Sequence, residues 1–189
     1  LNEWKKEHVY LEEENIGQDC ISLRWVLKEK EVDGKIIVKA RLCTRGFEEE
    51  HNFRTDSTTC SREEFRVVAC LIAFHKWKIN FLDVKTAFLQ GKMIERTVYV
   101  GPPKESMTNK IWKLRKCVYG LADASRYWYL KLREELLSLK ALPVLLDQGV
   151  FLWFENDIPV GVMVCFVDDV MWGGTDSFTK VVEKLKSTF

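Results

Sequence analysis

Two adjacent carboxylates, Asp168 and Asp169, sit between two strongly apolar runs, Val162-Met163-Val164-Cys165-Phe166-Val167 and Val170-Met171-Trp172. A third acid, Asp83, ends another apolar run, Ile79-Asn80-Phe81-Leu82, 85 residues earlier. Asp-Asp is an ordinary turn pair in most proteins. These flanks are too apolar for a solvated hairpin, so the acids are expected to emerge from the edge of a core. Adjacent unpaired carboxylates repel, and one of them would normally keep its proton unless a cation removes the conflict. Hard carboxylate oxygens suit Mg²⁺, which takes one or two of them and completes its shell with water and phosphate oxygens. Two such ions can activate a hydroxyl and stabilise a leaving pyrophosphate in an in-line displacement. That chemistry needs acids from separate strands converging on one point.

The elements that must position these acids can be read from periodicity. Residues 21–30 and 36–44 are β-rich and flank Val32-Asp33-Gly34-Lys35, where Asp-Gly marks a hairpin turn. In the second arm Ile37, Lys39, Arg41 and Cys43 share one parity, so Lys39 and Arg41 project from one face. Ser61 with Glu64 reads as a capping box opening a helix to about His75, with Phe65, Val68, Ala69 and Ile72 on its inner side. Residues 78–84 follow as a strand in which Asp83 shares the face of Ile79 and Phe81. A helix from Tyr127 to Leu142 carries Trp128, Leu132, Leu136 and Leu139 along one stripe. The runs 160–167 and 170–172 form a tight hairpin with Asp168-Asp169 at its tip, and Thr175 or Asp176 caps a last helix carrying Phe178, Val181, Val182 and Leu185. Hairpin, helix, strand, helix, hairpin, helix is an α+β order around a largely antiparallel sheet.

Composition narrows the partners less. The net charge is +1, which announces no polyanion. Locally, residues 1–19 hold six acids against two lysines, and residues 24–46 hold seven basic residues against three acids. The basic stretch reads equally as a nucleic-acid track or as a solvated hairpin. Six cysteines without a C-x-x-C pair, and three histidines, do not make a zinc framework. Cys70 and Cys165 lie in apolar runs and are expected to behave as small buried hydrophobes. No stretch approaches 18 apolar residues, so no membrane partner is expected.

Four motifs in order carry a resemblance. Lys39-Ala40-Arg41-Leu42 with Arg45-Gly46-Phe47, then Leu82 through Gly91, then Val118 through Tyr129, then Phe166-Val167-Asp168-Asp169 resemble the successive motifs of copia-type retrotransposon reverse transcriptases. They span about residues 25–189. The resemblance implies a right-hand polymerase of which fingers and palm are present and the thumb is absent. It implies one reverse transcriptase domain over residues 1–189, cut from a longer polyprotein with thumb, ribonuclease H and integrase regions. The implied activity is RNA-directed DNA polymerisation on a primed RNA or DNA template with deoxynucleoside triphosphates and two Mg²⁺ or Mn²⁺ ions. The chain alone, without a thumb, is expected not to extend a primer. Asp83 and Asp168 match the principal metal ligands, Asp169 matches the second acid of the hairpin, and the Val84 carbonyl would complete a metal shell.

By the same resemblance Arg41 grips the triphosphate, with Lys39 as a second candidate. Phe88 gates the incoming sugar against a 2′-hydroxyl, beside Ala87. Tyr119 and Gly120 let the nucleotide approach the backbone. The implied location is the cytoplasm, in the element's virus-like particle, or the nucleus. Two positions depart from the family pattern: Ala124-Ser125-Arg126 replaces Ala-Pro-Arg, and Thr58 stands where a proline often occurs. A catalytically silent, domesticated or decaying copy that at most binds nucleic acid is the competing reading. A nucleotide cyclase is a third, but its usual Gly-Gly-Asp/Glu hairpin is not the one here.

Overall fold

The computed structural model describes residues 1–50 and 52–189. In chain order the elements are α1 (Asn2–Lys6), β1 (Tyr10–Glu13), β2 (Leu23–Val32), β3 (Lys35–Thr44), α2 (Arg62–Phe74), β4 (Asn80–Asp83), β5 (Tyr99–Val100), β6 (Ile111–Leu114), α3 (Ala124–Ser138), β7 (Leu142–Pro143), β8 (Val150–Glu155), β9 (Ile158–Phe166), β10 (Asp169–Gly174) and α4 (Asp176–Thr188). Every strand pairing between them is antiparallel, so the fold is mixed α and β with antiparallel sheets. The chain divides into two compact units, Leu1–Thr55 with Phe88–Trp128, and Asp56–Ala87 with Tyr129–Phe189.

The first unit holds the three-stranded sheet β1-β6-β5 and the separate β2–β3 hairpin. Its core gathers Trp4, Val9, Val100, Trp112, Leu114 and Val118, all buried. Tyr10 stacks on Trp112 with ring centroids 4.0 Å apart. The hairpin turns at Asp33-Gly34, both with positive φ, 52° and 74°. That is the type I′ geometry whose twist matches paired strands, and Asp-Gly tolerates it. The register places Lys28 opposite Lys39 and Val26 opposite Arg41. One face therefore carries Arg24, Lys28, Lys30, Lys35, Lys39 and Arg41 without an acid. The other carries Glu29 and Glu31 among exposed apolar side chains, including Leu27, Ile36 and Val38.

The second unit is a five-stranded sheet in the order β4-β10-β9-β8-β7. Helix α2 lies on one face, where Val68 and Ile72 pack with Val150, Val162, Val164 and Met171. The other face receives α4 through Phe178, whose ring meets Trp153 at 4.7 Å and Trp172 at 5.9 Å. Burying such large side chains is worth about 1.5–3 kcal/mol each. Strands β9 and β10 are interior, as their unbroken apolar runs require.

Several boundaries differ from the sequence reading. Helix α3 runs over Ala124–Ser138, not 127–142. It ends in a Schellman arrangement: Ala141 N–H donates to the Leu136 carbonyl and Lys140 N–H to that of Leu137, with Lys140 at φ 65°. Glycine usually signals that end, and here a lysine takes the left-handed position. Strands β1, β6, β7 and β8 were not expected, whereas β5 ends just before Pro102-Pro103, a pair that marks a strand end in the sequence. The β8–β9 hairpin turns at Asn156-Asp157, both with positive φ. Cys165 is buried as expected, but Cys70 lies on the exposed side of α2. Phe65, expected on the inner side of that helix, is also exposed.

Candidate active site

In the second unit the hairpin between β9 and β10 turns one residue earlier than its sequence suggests. Phe166 pairs with Asp169, so the turn is Val167-Asp168 and Asp169 is the first residue of β10. Val167 has φ 57°. A β-branched residue is strained there, and such strain is held only where surrounding pairings enforce it. Here those pairings are the long apolar strands on either side.

Strand β4 runs against β10 with Asp83 directly opposite Asp169. Facing residues in such a pair have Cβ atoms about 4.5–5.5 Å apart, and like charges there repel. The Val84 N–H donates to the Asp168 carbonyl at 3.1 Å, which ties all three acids to one corner of the sheet. Asp83 and Asp169 are exposed and Asp168 is half-buried. None of the three carboxylates is neutralised by an ion pair with a described residue. Among the described residues no group of three His, Cys, Asp or Glu side chains is arranged to hold a metal ion. The backbone thus brings the three acids together, without assembling them into a finished ligand set. The chemistry of the donors fits a hard divalent cation, because two opposed carboxylates without a counter-ion are what such an ion stabilises. Val84 and Ala87 themselves are buried, at 5% and 1% exposure.

Cross-strand partners share a face, so the rows of this sheet can be followed. Asp83, Asp169 and Phe166 form one row, and Phe81, Met171 and Val164 the next. Helix α2 covers the sheet up to those rows and leaves a groove of about 730 Å³ beside its first turns. Asp83, Asp169, Phe81 and Phe166 line it from the sheet, and Arg62 and Arg66 from the helix. The apolar face that Asp83 was expected to end is therefore the open wall of this groove, with Phe81 73% exposed.

The start of α2 is fixed from two sides. The Ser61 Oγ accepts the Glu64 N–H at 3.1 Å. The carboxylate of Asp147, 8% exposed, accepts the Ser61 N–H at 3.1 Å and the Gly149 N–H at 2.7 Å. Glu64 Oε2 is buried without a hydrogen-bond partner, and the Ser61 N–H that a capping-box glutamate would accept goes to Asp147.

The first unit gathers other residues singled out by sequence. The Arg41 guanidinium lies 5.4 Å from the Tyr119 ring centroid, and the Phe88 and Tyr119 rings are 4.9 Å apart. Lys39 stands two residues from Arg41 on the same hairpin face. The Thr44 N–H and Oγ1 both donate to the Tyr119 carbonyl, at 2.8 and 3.2 Å. Gly120 has φ 100°, and a Cβ there would come within 2.1 Å of the Thr44 carbonyl oxygen. Its lack of a side chain is thus already required by the approach of β3's end.

Four residues in these surroundings escaped the sequence reading. Nothing in the sequence singled out Arg62 and Arg66 from the other charges of α2. Asp147 gave no signal beyond a turn. Asp123 is 1% exposed and accepts two hydrogen bonds from Arg96, both at 2.9 Å. Arg96 also pairs with Glu49, and the Phe53 ring lies 4.1 Å from its guanidinium carbon. Burial alone would push the Arg96 guanidinium down, but the hydrogen bonds and charge of Asp123, with Glu49, leave it raised.

Comparison with known proteins matches residues 9–189 to the family described as "Reverse transcriptase (RNA-dependent DNA polymerase)". The Retrovirus-related Pol polyprotein from transposon RE1 of Arabidopsis thaliana is 30% identical over 164 residues, covering 82% of this chain and 11% of that protein. The Retrovirus-related Pol polyprotein from transposon TNT 1-94 of Nicotiana tabacum is 30% identical over 179 residues, 90% of this chain and 13% of that protein. The Transposon Ty1-GR3 Gag-Pol polyprotein of Saccharomyces cerevisiae is 25% identical, covering all of this chain and 11% of that protein. The chain spans roughly one-ninth of the length of these relatives.

Proposed function

The chain belongs to the reverse transcriptase family of copia-type retrotransposon Pol polyproteins, and from that premise we propose that it is the part of an RNA-directed DNA polymerase that adds deoxynucleotides to a primer 3′-end. The observation that carries this reading is the pairing of Asp83 with Asp169 beside the Val167-Asp168 turn. In a right-hand polymerase the second unit would serve as palm and the β2–β3 hairpin as fingers. Asp83, Asp168 and Asp169, with the Val84 carbonyl, would hold two Mg²⁺ or Mn²⁺ ions. Bound there, such ions supply activation of the primer hydroxyl and stabilisation of the leaving pyrophosphate.

The remaining roles fall to side chains of the first unit. Arg41 presents a planar fork suited to phosphate oxygens. Lys39 stands beside it on the cationic hairpin face, which supports the same role. Tyr119 lies against both Arg41 and Phe88, and this clustering of the three side chains supports giving them one nucleotide-binding role. Template, primer, nucleotides and the other regions of the polyprotein are the partners this reading implies, and the element's particle in the cytoplasm, or the nucleus, is its place.

The test is primer extension on a homopolymer template, with the chain of 189 residues beside a longer protein that carries it. We expect the longer protein to extend the primer and the short chain to fail. Asp83→Asn or Asp168→Asn in the longer protein should abolish extension. An active Asp168→Asn variant would refute the assignment. A longer protein that binds primed template but never extends it would favour the silent-copy reading.

A further inference from the structure

The groove beside the acids has a second wall that the assigned roles leave unused. Arg62 and Arg66 are four residues apart on α2, one helical turn, and so stand on the same side of the helix. Both line the groove that also holds Asp83 and Asp169. Both are exposed, and neither forms an ion pair with a described residue. Three phenylalanines share the lining with the arginines and the acids. Phe65 is 39% exposed, Phe166 55% and Phe81 73%. Three phenylalanines open to solvent in one groove mark a surface that another molecule covers.

The occupant can be argued from charge and placement. A phosphodiester strand brought against Asp83 and Asp169 meets repulsion there, and needs cations on the facing wall to be held. Aromatic faces accept a nucleotide of any sequence, since every base offers a flat ring. An attacking hydroxyl has to stand about 3–3.5 Å from the phosphorus it attacks. The acids lie in this groove, so the strand that carries the hydroxyl is the one forced into it. A paired template strand has no such requirement.

We propose that Arg62 and Arg66 clamp the phosphates of the last nucleotides of the strand being extended, over an apolar bed made by Phe65, Phe81 and Phe166. This rests on the polymerase reading above and adds positioning residues to it. The arginines neutralise two phosphates, the phenylalanines hold sugar and base, and together they hold the 3′-end beside the acids.

The probe is a fluorescent recessed primer–template duplex, titrated with the chain without divalent ions and over a range of salt. Replacing both arginines (Arg62→Ala with Arg66→Ala) should weaken binding tenfold to a hundredfold at moderate salt. The slope of log affinity against log salt should become shallower by about 1.4–1.8, at 0.7–0.9 per lost phosphate contact. The double lysine variant (Arg62→Lys with Arg66→Lys) should keep most of the slope, because the charges remain. A second measurement needs no variant. Neutral methylphosphonates at the last two linkages of the primer should reproduce the loss in the unaltered chain and add nothing to the loss in the double alanine variant. An unchanged salt slope overturns the proposal. So does a result in which methylphosphonates matter in the template and not in the primer. Binding is read without turnover, so the two readings fail separately. A chain that holds the primer through these arginines, in a longer protein that extends nothing, counts against the polymerase. Extension with an indifferent groove counts against the clamp alone.

Discussion

Replacing Asp123 with alanine should destabilise the first unit by about 3 kcal/mol. The carboxylate is 1% exposed and receives two charge-assisted hydrogen bonds from Arg96, whose side chain is 19% exposed. Each such bond contributes about 1.5–3 kcal/mol. Removing one partner of a buried pair generally costs about 3–5 kcal/mol, because the other charge is left uncompensated. Arg96 keeps Glu49 and some solvent contact, which places the expected loss at the low end. That is roughly a hundredfold change in the folding equilibrium. With a urea dependence of about 1–3 kcal/mol per molar, the midpoint should drop by about 1–3 M. Hydrogen exchange of the β6 amides reports on this unit specifically, and should accelerate by a similar factor. Arg96→Met makes the complementary case. It leaves Asp123 and Glu49 without their shared cation, and should cost a comparable amount. An Asp123→Ala loss under about 1 kcal/mol would refute the reasoning.

Three further outcomes are expected. Arg41→Ala in the longer protein should raise the nucleotide KM at least tenfold with little change in primer–template affinity, since the guanidinium stands beside Tyr119 on the hairpin and away from the groove residues in sequence. An unaltered nucleotide KM would transfer the role to Lys39. Phe88→Ala should let ribonucleotides compete, read as the ratio of kcat/KM for the two sugars, and a ratio equal to that of the parent would make Phe88 a packing residue only. Burial pushes the Cys117 thiol up, aided by the charge of Asp123 and the hydrogen bond to it, and burial pushes Cys165 up, aided by Cys60. A raised thiol pKa means that the unfolded chain ionises first, so stability is complete below pH 9 and declines above it, by about 1.4 kcal/mol per pH unit per thiol. Urea midpoints between pH 8 and 10 test this, and Cys165→Ala should flatten the decline.

Local chemistry in the sequence determined the turns, caps and polarity of single elements. Asp33-Gly34 specifies its hairpin because few residue pairs tolerate two positive φ angles. Ser61 and Thr175 announce helix starts because their hydroxyls satisfy free N–H groups, and both do so here. Alternation in β3 placed Lys39 and Arg41 on one face, and apolar runs identified β9 and β10 as interior strands. The order of the four motifs was enough to recognise the family. Other features depend on partners distant in the chain. That Asp83 faces Asp169 is a matter of register between strands whose facing acids lie 86 residues apart in the chain, and the sequence of neither strand contains it. The exact turn, Val167-Asp168 rather than Asp168-Asp169, is set by the pairing of Phe166 with Asp169. Phe65 and Phe81 read as core because their spacing is that of core residues, yet α2 covers the sheet only as far as Val68. The same geometry turns Arg62 and Arg66 from surface charges into a groove wall. Asp123 and Asp147 look like loop acids and are buried, because each meets donors from segments far along the chain: Arg96 for one, the Ser61 N–H for the other. Periodicity reports which side of an element is apolar. Only the packed structure decides what that side meets, since burial belongs to the pair of surfaces and not to either alone.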